Sequence, residues 1–204
     1  MVNTIPKQYA LASRHGNITV NSLIIKPKHA SILVNWIQRN NSNTRIPKDS
    51  KYNFKLIHRG SRDGYDIKTV RRRCVRKGAC IVIIKSKENN TIIGGYNPLG
   101  WHYCDPQLPY HIVKYYWSST TESFIFSLGD GKDLNNVKIS RVVNSDNAIY
   151  EVDHENIPLN FGNSDLVINN NAGTCNQAHY ECSILDTNNF TIEEMEIFKF
   201  IKGE

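Results

Sequence analysis

The chain has 204 residues, 40% of them hydrophobic and 22% charged, a balance that excludes a fibrous repeat and wholesale disorder and suits one domain with a real core. Lysine and arginine together number 25 against 19 acidic residues, a surplus of +6 that favours acidic partners in solution without implying nucleic acid. Nothing approaches the run of roughly 20 apolar residues a membrane-spanning helix needs, Pro6, Lys7 and Gln8 interrupt any signal-like start, and five cysteines without close paired spacing fit a reduced, cytoplasmic setting better than a disulfide framework.

Residues 1–22 carry no sustained periodicity and residues 38–53 are polar and turn-rich, so 1–53 is expected to be an N-terminal linker with one short helix at about 28–38. In that helix Ala30, Leu33, Trp36 and Ile37 recur at helical spacing after Pro27, a residue suited to a first turn. From Phe54 to 202 the pattern becomes one of strands. "FKLIH", "ACIVIIKS", "TIIGGY", "ESFIFSL", "VKISRVV", "AIYEV", "DLVIN", "HYECSIL" and "MEIFKFI" are rich in β-branched and aromatic residues and are separated by turn clusters such as "KENN" and "NSDN". The expectation is an α+β, mainly β domain over 54–202: an antiparallel two-sheet β-sandwich flanked by short helices. The last segment, "FTIEEMEIFKFIKG", reads as a brief helical turn followed by a closing strand, with a full helix as the alternative, because Thr191 and Glu194 have capping-box spacing while Met195, Ile197 and Lys199 alternate with Glu196, Phe198 and Phe200.

Between "FKLIH" and "ACIVIIKS" lies the most basic part of the chain. Asp66 can cap a helix and Gly78 can end it; Ile67, Val70 and Cys74 recur on one face, and Lys68, Arg72 and Arg76 stack at four-residue spacing on the other. The plain reading is a solvated helix face. The functional reading is a surface for an acidic protein or another anionic partner, whereas nucleic acid is unlikely to be the partner because no aromatic interleaving accompanies the row.

Other motifs are read structurally first. "SRDG" (Ser61, Arg62, Asp63, Gly64) is a turn pinned by an aspartate before that helix. Gly94 and Gly95, before Tyr96, mark close backbone approach or a bulge, and Trp101, Phe124 and Phe126 belong to the core. Glu193, Glu194 and Glu196 could serve acid–base work or bind a cation, and Glu193 and Glu194 could meet a partner, although no nucleophile or oxyanion site accompanies them. His102, Cys104, Asp105 and His111 contain zinc-ligand residue types in a spacing that matches no zinc motif, so no metal or cofactor is expected. "GDGKD" at 129–133 is a hairpin turn, and Cys74 and Cys80 flank a basic helix end where a redox-sensing thiolate is conceivable.

Taken in order, "LIHRGSRDG", "KGAC", "IVIIK", "IIGGY", Trp101, "ESFIFSL", "AIY", "NFGNSDLVI" with Phe161 and Gly162, and "FTIEEMEIFKF" resemble a TLDc domain, the module of the oxidation-resistance proteins. The preceding "NSLIIKPKHASILVNWIQR" resembles the lead-in helix of fungal BTB–BACK–TLDc proteins. Lacking BTB and BACK parts, the chain is expected to be a short paralogue, a gene fragment or a truncated sequence. The resemblance implies a compact β-sandwich without established catalytic residues or cofactor, a role in protection against oxidative damage, and binding to the vacuolar proton-pumping ATPase. One departure from the family pattern is "IPLNFGNSD": Leu159 and Asn160 precede Phe161 where many relatives carry Gly-Pro. The leading expectation is therefore a non-enzymatic protein-interaction domain. The alternatives are a redox-active or hydrolytic enzyme using the C-terminal glutamates or the cysteines, and a paralogue that folds without retained activity.

Overall fold

A computed structural model describes residues 17–102, 115–152 and 156–203. The described residues form a mainly β fold: β1 (Asn17–Val20), α1 (Pro27–Ile37), β2 (Lys51–Arg59), α2 (Gly60–Asp63), α3 (Ile67–Cys74), β3 (Cys80–Ser86), β4 (Ile92–Asn97), β5 (Tyr115–Ser118), β6 (Phe124–Ser127), β7 (Lys138–Arg141), β8 (Ile149–Val152), β9 (Leu159–Phe161), β10 (Leu166–Asn169), β11 (Ala172–Thr174) and β12 (Asn189–Lys202).

One hydrogen-bonded path runs β5-β8-β9-β10-β11-β12-β3-β4-β6-β7, with β2 paired to β12 and β1 to β2. Every named pairing is antiparallel except β1–β2. The mainly antiparallel strand pairing matches the expectation, and the ladder passes unbroken through β12.

β12 is the hub of this path. Asn189–Thr191 pairs with β11, a longer stretch through Ile192–Lys199 pairs with β3, and Glu196–Lys202 pairs with β2. The helical turn expected at the start of this segment is absent, because Asn189–Lys202 is extended throughout. Packing decides the ambiguity: Met195 and Ile197 enter one apolar cluster and Phe198 the other, which requires the two-residue period of a strand.

The same logic explains β3. Val82 and Ile84 belong to the first cluster and Ile81 and Ile83 to the second, so both faces are buried and the sequence reads as an uninterrupted apolar run. α1 covers the second cluster, with the Trp36 ring 6.2 Å from Phe124 and 6.0 Å from Phe126. Ile25 to Ile46 thus share a cluster with β2, β3 and β6. At the helix start the His29 imidazole accepts a hydrogen bond from the Lys26 amide (3.1 Å) and donates through Nε2 to the Gly131 carbonyl (2.8 Å).

The expected strand at "HYECSIL" is a correction. Only an isolated bridge, Val142 to Tyr180, forms there, because the Ala178, His179 and Tyr180 amides are drawn onto the buried Asp165 carboxylate at 2.8, 2.8 and 3.1 Å instead of into a ladder. The helix carrying the basic row is also shorter than expected. α3 stops at Cys74, Val75 bridges to Trp101, and Arg76 takes a left-handed φ of 57° with its amide bonded to the Trp101 carbonyl, so Arg76 lies beyond the helix and Gly78 is not its cap. Asp66 does cap it, accepting from the Thr69 amide at 2.9 Å. Among the described residues, no helix is long and apolar enough to cross a membrane.

Candidate functional site

The charged motifs converge on one corner, where β2 ends, α2 turns and β12 runs past. Along its β2 side, β12 is paired with β11 up to Thr191 and with β2 from Glu196, and α2 docks on the interval between them. There the Glu194 carboxylate accepts from the Ser61 amide at 3.1 Å and from the Met195 amide at 2.9 Å. Tyr65 donates its hydroxyl to the Glu193 carbonyl (2.8 Å), while the exposed Glu193 side chain pairs with Lys85 at 2.8 Å.

Asp63 ties the turn together. Its carboxylate accepts from the Arg59 amide (3.0 Å) and from Arg62 Nε and Nη2 (2.9 and 2.7 Å), and it lies 3.3 Å from Arg73 of α3. The Arg62 bonds come first among the causes that hold the Asp63 carboxyl well below the usual range, followed in the same direction by the Arg59 amide and the charge of Arg73. Gly60 fits only because it lacks a Cβ, which would stand 2.2 Å from the Tyr65 ring.

Glu196 is fully buried opposite Arg59 in the β12–β2 register. Arg59 Nε donates to it at 2.7 Å and the Leu23 amide at 2.9 Å, and the Ser22 hydroxyl bonds its other oxygen. Arg59 also reaches the Asn21 carbonyl at 3.1 Å. This carboxylate therefore fastens the β1–α1 connection to the sheet.

His58, also buried, donates through Nε2 to the Gly64 carbonyl at 2.9 Å, and burial lowers its proton affinity more than Asp63, 3.9 Å away, restores it. Burial lowers that of His29 as well. A histidine whose folded pKa lies below its unfolded value of about 6.5 binds more protons when unfolded, so its stabilising contribution is complete above that value and is lost as pH falls toward the folded one. The melting temperature is accordingly expected to fall between pH 7 and pH 5.5, and a His29→Gln variant to show a shallower fall over that interval. Thermal melts across the pH range check this; an unchanged slope in the variant would remove His29 as a cause.

The remaining family-motif residues lie in the core. Gly94 and Gly95 make room for rings: a Cβ on Gly95 would stand 2.6 Å from the Phe161 ring, and Phe161 packs edge-on against Trp101 at 5.7 Å. Tyr96 packs near Phe124, and Gly162, at φ 65°, lies against Asp165. Lys68 and Arg72 ride on α3, with Arg76 just past it.

Of the four residues with zinc-ligand chemistry only His102 falls within the described residues; Cys104, Asp105 and His111 lie outside them. His102 is engaged by the fully buried Glu151, which also accepts from the His102 amide (3.1 Å) and the Ser118 hydroxyl (3.2 Å). Among the described residues no group of three or more histidine, cysteine or acidic side chains is placed to hold a metal ion. Burial raises the Cys74 thiol well above its ordinary pKa and pushes Cys80 up to about 12.

Sequence reasoning missed Ser22, Arg59, His58, Glu151 and Asp165. Ser22 and Arg59 are 174 and 137 residues from Glu196, so no local spacing could connect them.

A family model for the TLDc domain matches residues 19–201. The chain belongs to the TLDc domain family. No curated protein matches it.

Proposed function

We propose that the chain acts by contact rather than by turnover, as a cytoplasmic TLDc protein-interaction domain. The family resemblance suggests the vacuolar proton-pumping ATPase as partner and protection against oxidative damage as role. The carrying observation is how the buried carboxylates are used. Glu151, Asp165, Glu194 and Glu196 are all buried, and each accepts hydrogen bonds from the protein's own groups. A general acid or base must reach a substrate proton; these groups hold the fold together instead. The raised thiols of Cys74 and Cys80 likewise disfavour the reactive thiolate.

The fold supports a rigid platform. We read the single strand path as two layers folded across β12, a sandwich in effect, because Phe161, Leu166 and Ile168 share one cluster with Val82, Ile84 and Ile93. The partner-facing groups on this reading are Lys68, Arg72 and Arg76, together with the exposed Glu193 of β12, while Glu194, expected with them, is buried on the Ser61 amide.

The test is capture of the purified soluble sector of the vacuolar ATPase by the immobilised chain. Capture is expected from the wild type and not from an Arg72→Glu/Arg76→Glu variant. No capture by a chain shown to be folded would overturn the partner assignment, and peroxide turnover lost in a Cys74→Ser/Cys80→Ser variant would favour the enzymatic alternative.

A further inference from the structure

The cations of α3 face others from the sheet. Arg72, Arg73, Arg76 and Lys77, together with Lys55 of β2 and Lys199 of β12, line a cleft of about 540 Å³ whose apolar part is Leu56 and Ile57. Six of its eight lining residues are cationic and none is acidic. α3 creates the arrangement by burying Ile67, Val70 and Cys74, which leaves its arginine-rich side beside β2. Arg73 remains 43% exposed although it reaches Asp63 at 3.3 Å.

Lys55 and Lys199 are direct register partners across the β2–β12 ladder. Like charges directly opposite each other destabilise a strand pair. Among the described residues, neither lysine, nor Arg72 or Lys77, has a carboxylate within ion-pair distance. The fold therefore gathers positive charge in a concavity whose lining holds no carboxylate, and an anion seated there would relieve the repulsion between Lys55 and Lys199.

We propose that this cleft binds a compact, multiply phosphorylated anion, of the chemistry shared by inositol polyphosphates and phosphoinositide headgroups. Arginine forks take phosphate oxygens in pairs and lysines add point charges. The volume falls within the range of about 300–1,000 Å³ typical of small-ligand sites. No aromatic side chain lines the cleft to stack bases, and a concave site suits a compact ligand better than an extended strand. Lys55 and Lys199 are outside the row assigned above to a protein partner, and binding is measured without any protein partner.

The experiment is calorimetric titration of the full 204-residue chain with inositol hexakisphosphate in metal-free buffer at physiological salt, alongside sedimentation with phosphatidylcholine vesicles containing phosphatidylinositol 4,5-bisphosphate. Saturable one-to-one binding is expected. A Lys55→Gln/Lys199→Gln variant should bind at least tenfold more weakly while melting no lower than wild type, Arg72→Gln should weaken binding several-fold, and Lys132→Gln, outside the cleft, should leave it unchanged. Binding to the free phosphate alone, or also to the vesicles, supports the proposal and separates a soluble ligand from a lipid source. Absence of binding in both arms, undiminished binding by the double variant, or equal displacement by polyglutamate would overturn it.

Discussion

Glu196→Ala is expected to destabilise the chain by about 3–4 kcal/mol and to lower its melting temperature by roughly 10 °C. The carboxylate is fully buried and Arg59 is only 15% exposed at the side chain, so the substitution leaves a guanidinium in a poorly hydrated site. It also removes the acceptor of the Leu23 amide and the Ser22 hydroxyl. An orphaned buried charge and an orphaned backbone donor both carry desolvation penalties. Urea unfolding measures the loss, and an Arg59→Met/Glu196→Leu double variant should recover a large part of it, because removing both partners strands no charge. A single variant within about 1 kcal/mol of wild type would mean the clamp contributes little.

Gly94→Ala is expected to cost at least about 4 kcal/mol or to prevent folding. An ideal Cβ at Gly94 would stand 2.0 Å from the Val82 carbonyl oxygen and 2.6 Å from the Phe126 ring. A flexible side chain could move aside, but a carbonyl in the central β3–β4 ladder cannot without parting the strands. Gly129→Ala is the contrast: its φ of 57° disfavours a side chain, yet open space surrounds it, so a loss of about 1 kcal/mol is expected. Soluble yield and urea midpoints of the two variants check the ranking; equal effects would show that the steric contact at Gly94 relaxes.

Much of the strand content was legible because burial left a pattern. β3, β4 and β6 are apolar on both faces, and β2 and β7 alternate with flanking turns, so composition and period identified them. Strands β9 and β11 have three residues each and owe their pairing to neighbours, leaving too short a run for any period to show. β1 was missed because it joins β2 as a parallel edge strand of four residues, alternately exposed and half-buried. The C-terminal segment was ambiguous since Thr191 and Glu194 imitate a helix cap, and only burial on both faces of 195–198 resolves it. The site followed the same division. "SRDG" and the glutamates stood out as motifs, and Asp63 holds near neighbours, whereas Glu193, Glu194 and Glu196 reach partners more than a hundred residues away. The lysine opposition in the cleft was invisible for a related reason: Lys55 and Lys199 become neighbours only through the β2–β12 register.

The place of β12 in chain order also bears on how the protein is made. Among the described residues it is the last strand, yet it covers the second edge of β2, β3 and β11, whose other partners are β1, β4 and β10. As the chain leaves the ribosome, every other strand has emerged before the one that joins them, and unpaired strand edges invite pairing with other chains. Nascent chains thus pass through an interval in which one edge each of β2, β3 and β11 lies open. Slower translation between Thr174 and Lys202 lengthens that interval without changing a single native contact.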